Sequence, residues 1–196
     1  GRRLLAGVDE AGRGFWAGPV VAAAVILPDG WCPEGLDDSK ALTASKRDDL
    51  FEQIQASALC WGACAVSPAE IDQTDILRAT LRAMAGAVSR LHPRPDLVLV
   101  DGLQVPDIAY PAEAVVKGDA TSAAVAAASV VANTPSVAGF VVLLLVSPLT
   151  QAGLRDEQLY EVGRGHADRA TLEQHHVDLG TIEKIVHVLA KLFVAQ

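Results

Sequence analysis

Apolar and polar residues alternate along this chain in blocks whose period shifts between strand-like and helix-like. Residues 4–9 read as a first buried strand, and 18–27 (G-P-V-V-A-A-A-V-I-L) as a second. Pro28-Asp29-Gly30 marks a turn between this run and the next element. Thr43 has the character of an N-cap, opening a helix through about Ala56. Residues 58–66 return to strand character. Ser67-Pro68-Ala69-Glu70 then starts a helix with proline in its first turn. Over 75–91 the apolar residues Ile76, Leu77, Leu81, Met84, Val88 and Leu91 recur with a helical period. His92-Pro93-Arg94-Pro95 ends that helix.

Leu97 to Val100 is a continuous apolar run of buried-strand type that stops on Asp101-Gly102. A short strand at about 112–116 precedes Lys117-Gly118-Asp119. Asp119 is placed to cap an alanine-rich helix running to about Ala132. Residues 182–193 form an amphipathic helix that packs on the core or, with an exposed apolar face, supports self-association. No internal repeat or linker interrupts the series, so residues 1–196 are expected to form a single domain, with 133–196 as its divergent C-terminal part.

At 196 residues and 51% hydrophobic content, the chain can bury a substantial core. The run from Val137 to Val146 is too short to span a bilayer. No basic stretch followed by an apolar run opens the sequence, so no secretory signal is expected. Three cysteines, an odd number, argue against a disulfide framework. The cytoplasm is the expected location. A net charge of −8 opposes nucleic-acid binding, because neutralising phosphates drives most of it. A nuclease whose acids are screened by cations tolerates that balance, with modest affinity that is sensitive to salt.

The densest chemistry lies in residues 7–14, G-V-D-E-A-G-R-G. An apolar lead-in ends on two adjacent carboxylates, Asp9 and Glu10, and Gly12-Arg13-Gly14 follows at once. Acids at a strand end can hold a divalent metal through oxygen. Glycines just beyond let the backbone approach a ligand closely. Asp9 and Asp101 each close an apolar strand and are each followed within three residues by glycine. In a neighbouring parallel pair both acids would emerge at one edge of the sheet, where open α/β sheets bind ligands. Glu10 would point to the opposite face from Asp9, joining the cluster only if the backbone turns there. Three carboxylates in one site raise each other's pKa unless a cation neutralises them. His166, His175, His176 and His187 lack metal-ligand spacing. Cys60 and Cys64, four apart on a strand, favour a core role over zinc.

The octapeptide closely resembles the opening motif of type 2 ribonucleases H (ribonuclease HII). Further matching blocks follow in order at 17–27, 36–42 (L-D-D-S-K-A-L), 95–102 (P-D-L-V-L-V-D-G), 111–120 and 126–132. The resemblance implies an α/β ribonuclease H-like fold, a mixed central sheet flanked by helices. It also implies a metal-dependent endonuclease acting on RNA–DNA hybrids or on ribonucleotides embedded in duplex DNA. Asp9, Glu10 and Asp101 would be both catalytic and metal-holding, with Mg²⁺ or Mn²⁺ as cofactor and Asp9 bridging two ions. In that scheme ions roughly 3.5–4 Å apart activate a water and stabilise the leaving oxygen. Gly12, Arg13 and Gly14 would recognise the ribose 2′-hydroxyl, Ser39 and Lys40 would contact phosphate, and Lys117 would lie near the site as a substrate-binding residue.

The resemblance then breaks. Where the family's helix continues K-V-T-R-D, this chain reads Asn133-Thr134-Pro135-Ser136-Val137, so the fourth acid falls on Val137. Pro135 also opposes a continuing helix. Asp156 and Asp119 are the acids open to substitute for it. His166 to Thr171 faintly resembles the family's H-K-G-Y-x-T, which would set Arg169 at the tyrosine position. A catalytically weak or silent hybrid-binding relative is the alternative, as is a remodelled domain mediating protein contacts.

Overall fold

A computed structural model of the chain describes residues 3–13, 18–36, 42–134 and 137. The chain divides into two units, Gly1–Thr134 and Pro135–Gln196, and every strand and helix below belongs to the first. The expected helix at 182–193, the histidines at 166, 175, 176 and 187, Arg169 and Asp156 lie outside the described residues.

The elements are β1 (Leu5–Ala11), β2 (Val20–Ile26), α1 (Ala44–Ser57), β3 (Cys60–Val66), α2 (Pro68–Gln73), α3 (Ile76–Ser89), β4 (Leu97–Asp101), β5 (Ala112–Val115), α4 (Gly118–Thr121) and α5 (Ala123–Asn133). The sheet runs in the order β3-β2-β1-β4-β5. β1 pairs antiparallel with β2 and parallel with β4. β2–β3 is antiparallel and β4–β5 parallel. This is the mixed sheet that the family resemblance implied. β2 is buried along its whole length, which explains why it reads as an unbroken apolar run with no alternation.

α3 packs on β3, β2 and β1, while α5 packs on β1 and β2 from the other face and is covered in turn by α1. Ala6, Val8, Ala22, Ala24, Ile26, Val98 and Val100 join Ala83, Met84, Ala87 and Val88 of α3 in the core. On the opposite face, Gly7 sets the distance of α5. A Cβ there would overlap the backbone of Ala124 and Val125, so only glycine lets the helix lie directly on the strand. Phe51 of α1 meets Trp61 of β3 edge-on, ring centroids 5.6 Å apart, tying α1 to the sheet.

The local signals are realised where they were expected. Thr43 caps α1 by accepting the Lys46 N–H. Ser67 and Glu70 form a reciprocal capping box at α2. Two boundaries differ. β1 runs on to Ala11, so Glu10 stays within the strand. Asp119 does not cap the alanine-rich helix but sits in the first turn of the separate α4. Ser122, in extended conformation (φ −132°, ψ 120°), breaks the chain between α4 and α5. α5 ends at Asn133, two residues before Pro135.

Candidate active site

Val8 is the register partner of Val100 in the parallel β1–β4 pair. One residue further on, Asp9 and Asp101 therefore stand side by side, Asp101 at the carboxyl end of β4 and Asp9 two residues before that of β1. They share the face that carries α5 and α4. Asp9 is buried, with 3% of its surface exposed. Its Oδ1 accepts the Glu10 N–H at 2.8 Å, and the fully buried Ser129 hydroxyl on α5 hydrogen-bonds its carboxylate. Asp101 Oδ1 accepts the Gly118 N–H at 2.7 Å.

The turn that delivers this amide is unusual. Lys117 is the one non-glycine residue with positive φ among the described residues (φ 56°, ψ 45°). A left-handed lysine is a conformation that L side chains adopt at some cost, and such residues cluster at functional sites. It folds the chain so that Gly118 lies against Asp101 and Val125, where a Cβ would come 3.1 Å from Val125 Cγ1. The Lys117 side chain itself is exposed.

Because β1 does not turn at Glu10, this residue lies on the opposite face of the sheet from Asp9, the side of Val8 and Ala22. Its charge nevertheless reaches Asp9. Burial pushes the Asp9 carboxyl up to about 7, with the Ser129 bond pulling it down and the charges of Glu10 and Asp101 adding to the rise. Beyond the strand, Gly12 takes φ +95°, and a Cβ there would press on the Pro19 carbonyl oxygen. The turn brings the Arg13 guanidinium back onto Glu10, with Nη1 3.1 Å from Oε1. The other oxygen, Oε2, is buried without a hydrogen-bond partner.

Of the expected site residues, then, Glu10 and Asp101 each act electrostatically on Asp9, with Gly12 and Arg13 following Glu10 in the chain and Lys117 at the Asp101 turn. Gly14, Ser39 and Lys40 lie outside the described residues. Among the described residues, no three His, Cys, Asp or Glu side chains are drawn together tightly enough to hold a metal. Asp9 and Asp101 share one face and are the hard oxygen donors a divalent cation takes, while Glu10 lies on the other face with Oε2 buried and unpartnered. Cys32, Cys60 and Cys64 are free thiols, and Cys60 and Cys64 pack against the core. A cavity of about 420 Å³ between Cys32–Leu36 and Asp119–Ala126 holds none of the three acids.

Two contributors escaped the sequence reading. Ser129 sits in a run of alanines and valines and reads as one more small core residue. Gly118 reads as a turn glycine, although its amide is what holds Asp101. The serine's one signal is a hydroxyl in an otherwise apolar helix, since a buried hydroxyl needs a partner.

Comparison with known proteins agrees with this architecture. The ribonuclease H2 of Pyrococcus horikoshii OT3 superposes with a TM-score of 0.60 at 22% identity, over 95% of this chain and 99% of that one. The structure of the PCNA:RNase HII complex from Archaeoglobus fulgidus gives 0.56 at 29% identity, over 66% of this chain and 70% of that one. The fold is thus the ribonuclease H-like fold. A family model for ribonuclease HII matches residues 6–136. The ribonuclease HII of Pelobacter propionicus is 51% identical over 133 residues, 68% of this chain and 61% of that protein. This chain belongs to the ribonuclease HII family. It spans about half to three-fifths of the length of the curated relatives it matches.

Proposed function

We propose that this protein is a divalent-metal-dependent endonuclease that cuts RNA in RNA–DNA hybrids, or at ribonucleotides embedded in duplex DNA, in the cytoplasm. The observation that carries the reading is the pairing of Asp9 with Asp101 at one end of adjacent parallel strands, inside the family-matched region. Asp9, Glu10 and Asp101 would hold Mg²⁺ or Mn²⁺. When bound, the ions supply an activated water and charge stabilisation for in-line displacement at phosphorus.

The rest of the work belongs to the chain. Ser129 and the Glu10 amide fix the Asp9 carboxylate, and the Gly118 amide fixes that of Asp101. The Gly12-Arg13-Gly14 backbone is assigned to the 2′-hydroxyl, whose ability to donate and accept separates RNA from DNA. Ser39 and Lys40 are assigned to phosphates, and Lys117 to substrate binding near the site.

A second reading has its own support. The family match ends at residue 136, and the next residue is Val137, buried and without a donor atom. A site short of its fourth acid would leave a hybrid-binding relative with little or no cleavage. Cleavage of a duplex carrying one ribonucleotide, titrated with Mg²⁺ and Mn²⁺, separates the two. Metal-dependent cutting 5′ to the ribonucleotide, lost in Asp101→Asn, supports the nuclease. Binding without cutting, from folded protein in either metal, supports the silent relative.

A further inference from the structure

Large apolar side chains left in solvent are unevenly placed on the sheet. Among the described residues, Leu5 and Leu59 are exposed at the amino ends of β1 and β3. Leu103, Val105 and Val116 are exposed beyond the carboxyl ends of β4 and β5, Leu103 to 84% and Val116 to 63%. Two hydrogen bonds tie these last segments to Asp101. The Gly102 N–H donates to the Val115 carbonyl at 3.1 Å, so Leu103 and Val116 leave the sheet from adjacent strand ends. The Gly118 N–H donates to Asp101 Oδ1 at 2.7 Å, which keeps Val116 and the exposed Lys117 within a turn of that carboxylate. Exposed apolar side chains gathered at the rim of a polar site mark a contact surface.

Charge and place point to the occupant. With a net charge of −8, the chain gains little affinity for nucleic acid from neutralising phosphates. Contacts to sugars and base edges must then supply much of the binding. An A-like duplex offers both in its wide, shallow minor groove, where the 2′-hydroxyl also lies. We infer that Leu103 and Val116 form an apolar shelf for the substrate duplex beside Asp101, meeting sugars and base edges of the minor groove rather than phosphates. This rests on the nuclease reading above and deepens it by naming residues that meet nucleotides flanking the cut. No metal ion takes part in the contact, so binding without metal reports it.

The test is binding of a labelled RNA–DNA hybrid to the full chain in the presence of a chelator, read by fluorescence anisotropy over a range of salt. Leu103→Ser should weaken binding by about tenfold, the order expected when one leucine loses its buried contact. Val116→Thr should weaken it less, and Leu103→Met should bind as wild type does. The slope of affinity against salt should stay the same in all three, because no phosphate contact is lost. Leu59→Ser, at the far end of the sheet, should have no effect. Unchanged binding in Leu103→Ser overturns the inference and leaves the nuclease reading standing. So does a loss with a flattened salt slope, which would assign the loop to phosphates, or an equal loss in Leu59→Ser. If Leu103→Ser instead dissociates an oligomer and leaves hybrid binding intact, the shelf belongs to a second copy of the chain and the inference fails. A wild type that neither binds the hybrid nor cuts it with Mg²⁺ or Mn²⁺ overturns both.

Discussion

α3 and α5 cover opposite faces of one sheet, and they are built on different terms. α3 is capped by Asp75, whose Oδ1 accepts the Arg78 N–H at 2.8 Å. It buries Ala79, Ala83, Met84, Ala87 and Val88 against the sheet and leaves Arg78 and Arg82 in solvent. α5 has no side-chain cap, and every residue from Ala124 to Ala132 is buried. α3 is therefore specified by its own amphipathic pattern, whereas α5 is specified by its neighbours. Gly7 lies beneath it and α1 above, with Arg47 Nη1 reaching the Asn133 carbonyl at 3.3 Å. The helix that stabilises the fold can be read alone. The helix that backs the carboxylates can be read in its extent but not in its seat on the strand.

The sharpest way to test this contrast is through Asp9, the acid that α5 covers. Its pKa is raised from 3.8 to about 7 in the folded protein. Between those values the native state binds a proton that the unfolded chain has released. This contribution is fully present below about pH 4 and is lost as pH rises to about 7. Metal-free wild type should therefore lose up to about 4 kcal/mol across that window relative to Asp9→Asn. Urea melts from pH 4 to 8 measure it, and parallel curves for the two proteins would refute it.

Next in size is Gly7→Ala, which forces α5 off β1. A loss of about 3 kcal/mol or more is expected, against no comparable cost for alanine at solvent-facing positions of α3. Thermal denaturation decides it, and a variant as stable as wild type would mean that the helix is not seated on the strand. Ser129→Ala should cost about 1–2 kcal/mol at neutral pH, because Asp9 loses its hydroxyl donor. That cost should shrink in acid, where the carboxyl is protonated. A loss that does not vary with pH would assign Ser129 to packing alone. Smallest is Asp75→Ala, at about 1 kcal/mol from the missing cap of α3. Unlike the others, it should leave any Mn²⁺ binding untouched.

The same division decides what could be read from the residues. The strands that carry Asp9 and Asp101, the caps at Thr43 and Ser67 and the α3 period are local patterns, and each is legible in the sequence, although β1 runs two residues past Asp9. The consequence for Glu10 was legible too, as a condition: opposite face if the strand continues, which it does. Asp119 was misplaced as a cap because the alanine run hides the break at Ser122. Nothing in composition shows a lysine entering the left-handed region at 117. Gly7, Gly118 and Ser129 act only through partners distant in sequence, so their roles appear only once the sheet and helix meet. The resemblance carried the assignments of Ser39 and Lys40, which local pattern does not support on its own.

The strand order has a consequence for motion. β3 and β5 take the edges of the sheet, and β1 lies in the middle, bonded on both sides. Fraying begins where strands have one neighbour, and β5 is only four residues long. Amides of β1 from Ala6 to Val8 should exchange with solvent deuterium only through global unfolding, while those of β5 exchange through local opening. The strand that carries Asp9 would then keep its shape through every partial opening of the sheet. Loosening would reach the site first from the side of Lys117 and Gly118, where β5 hands over to α4.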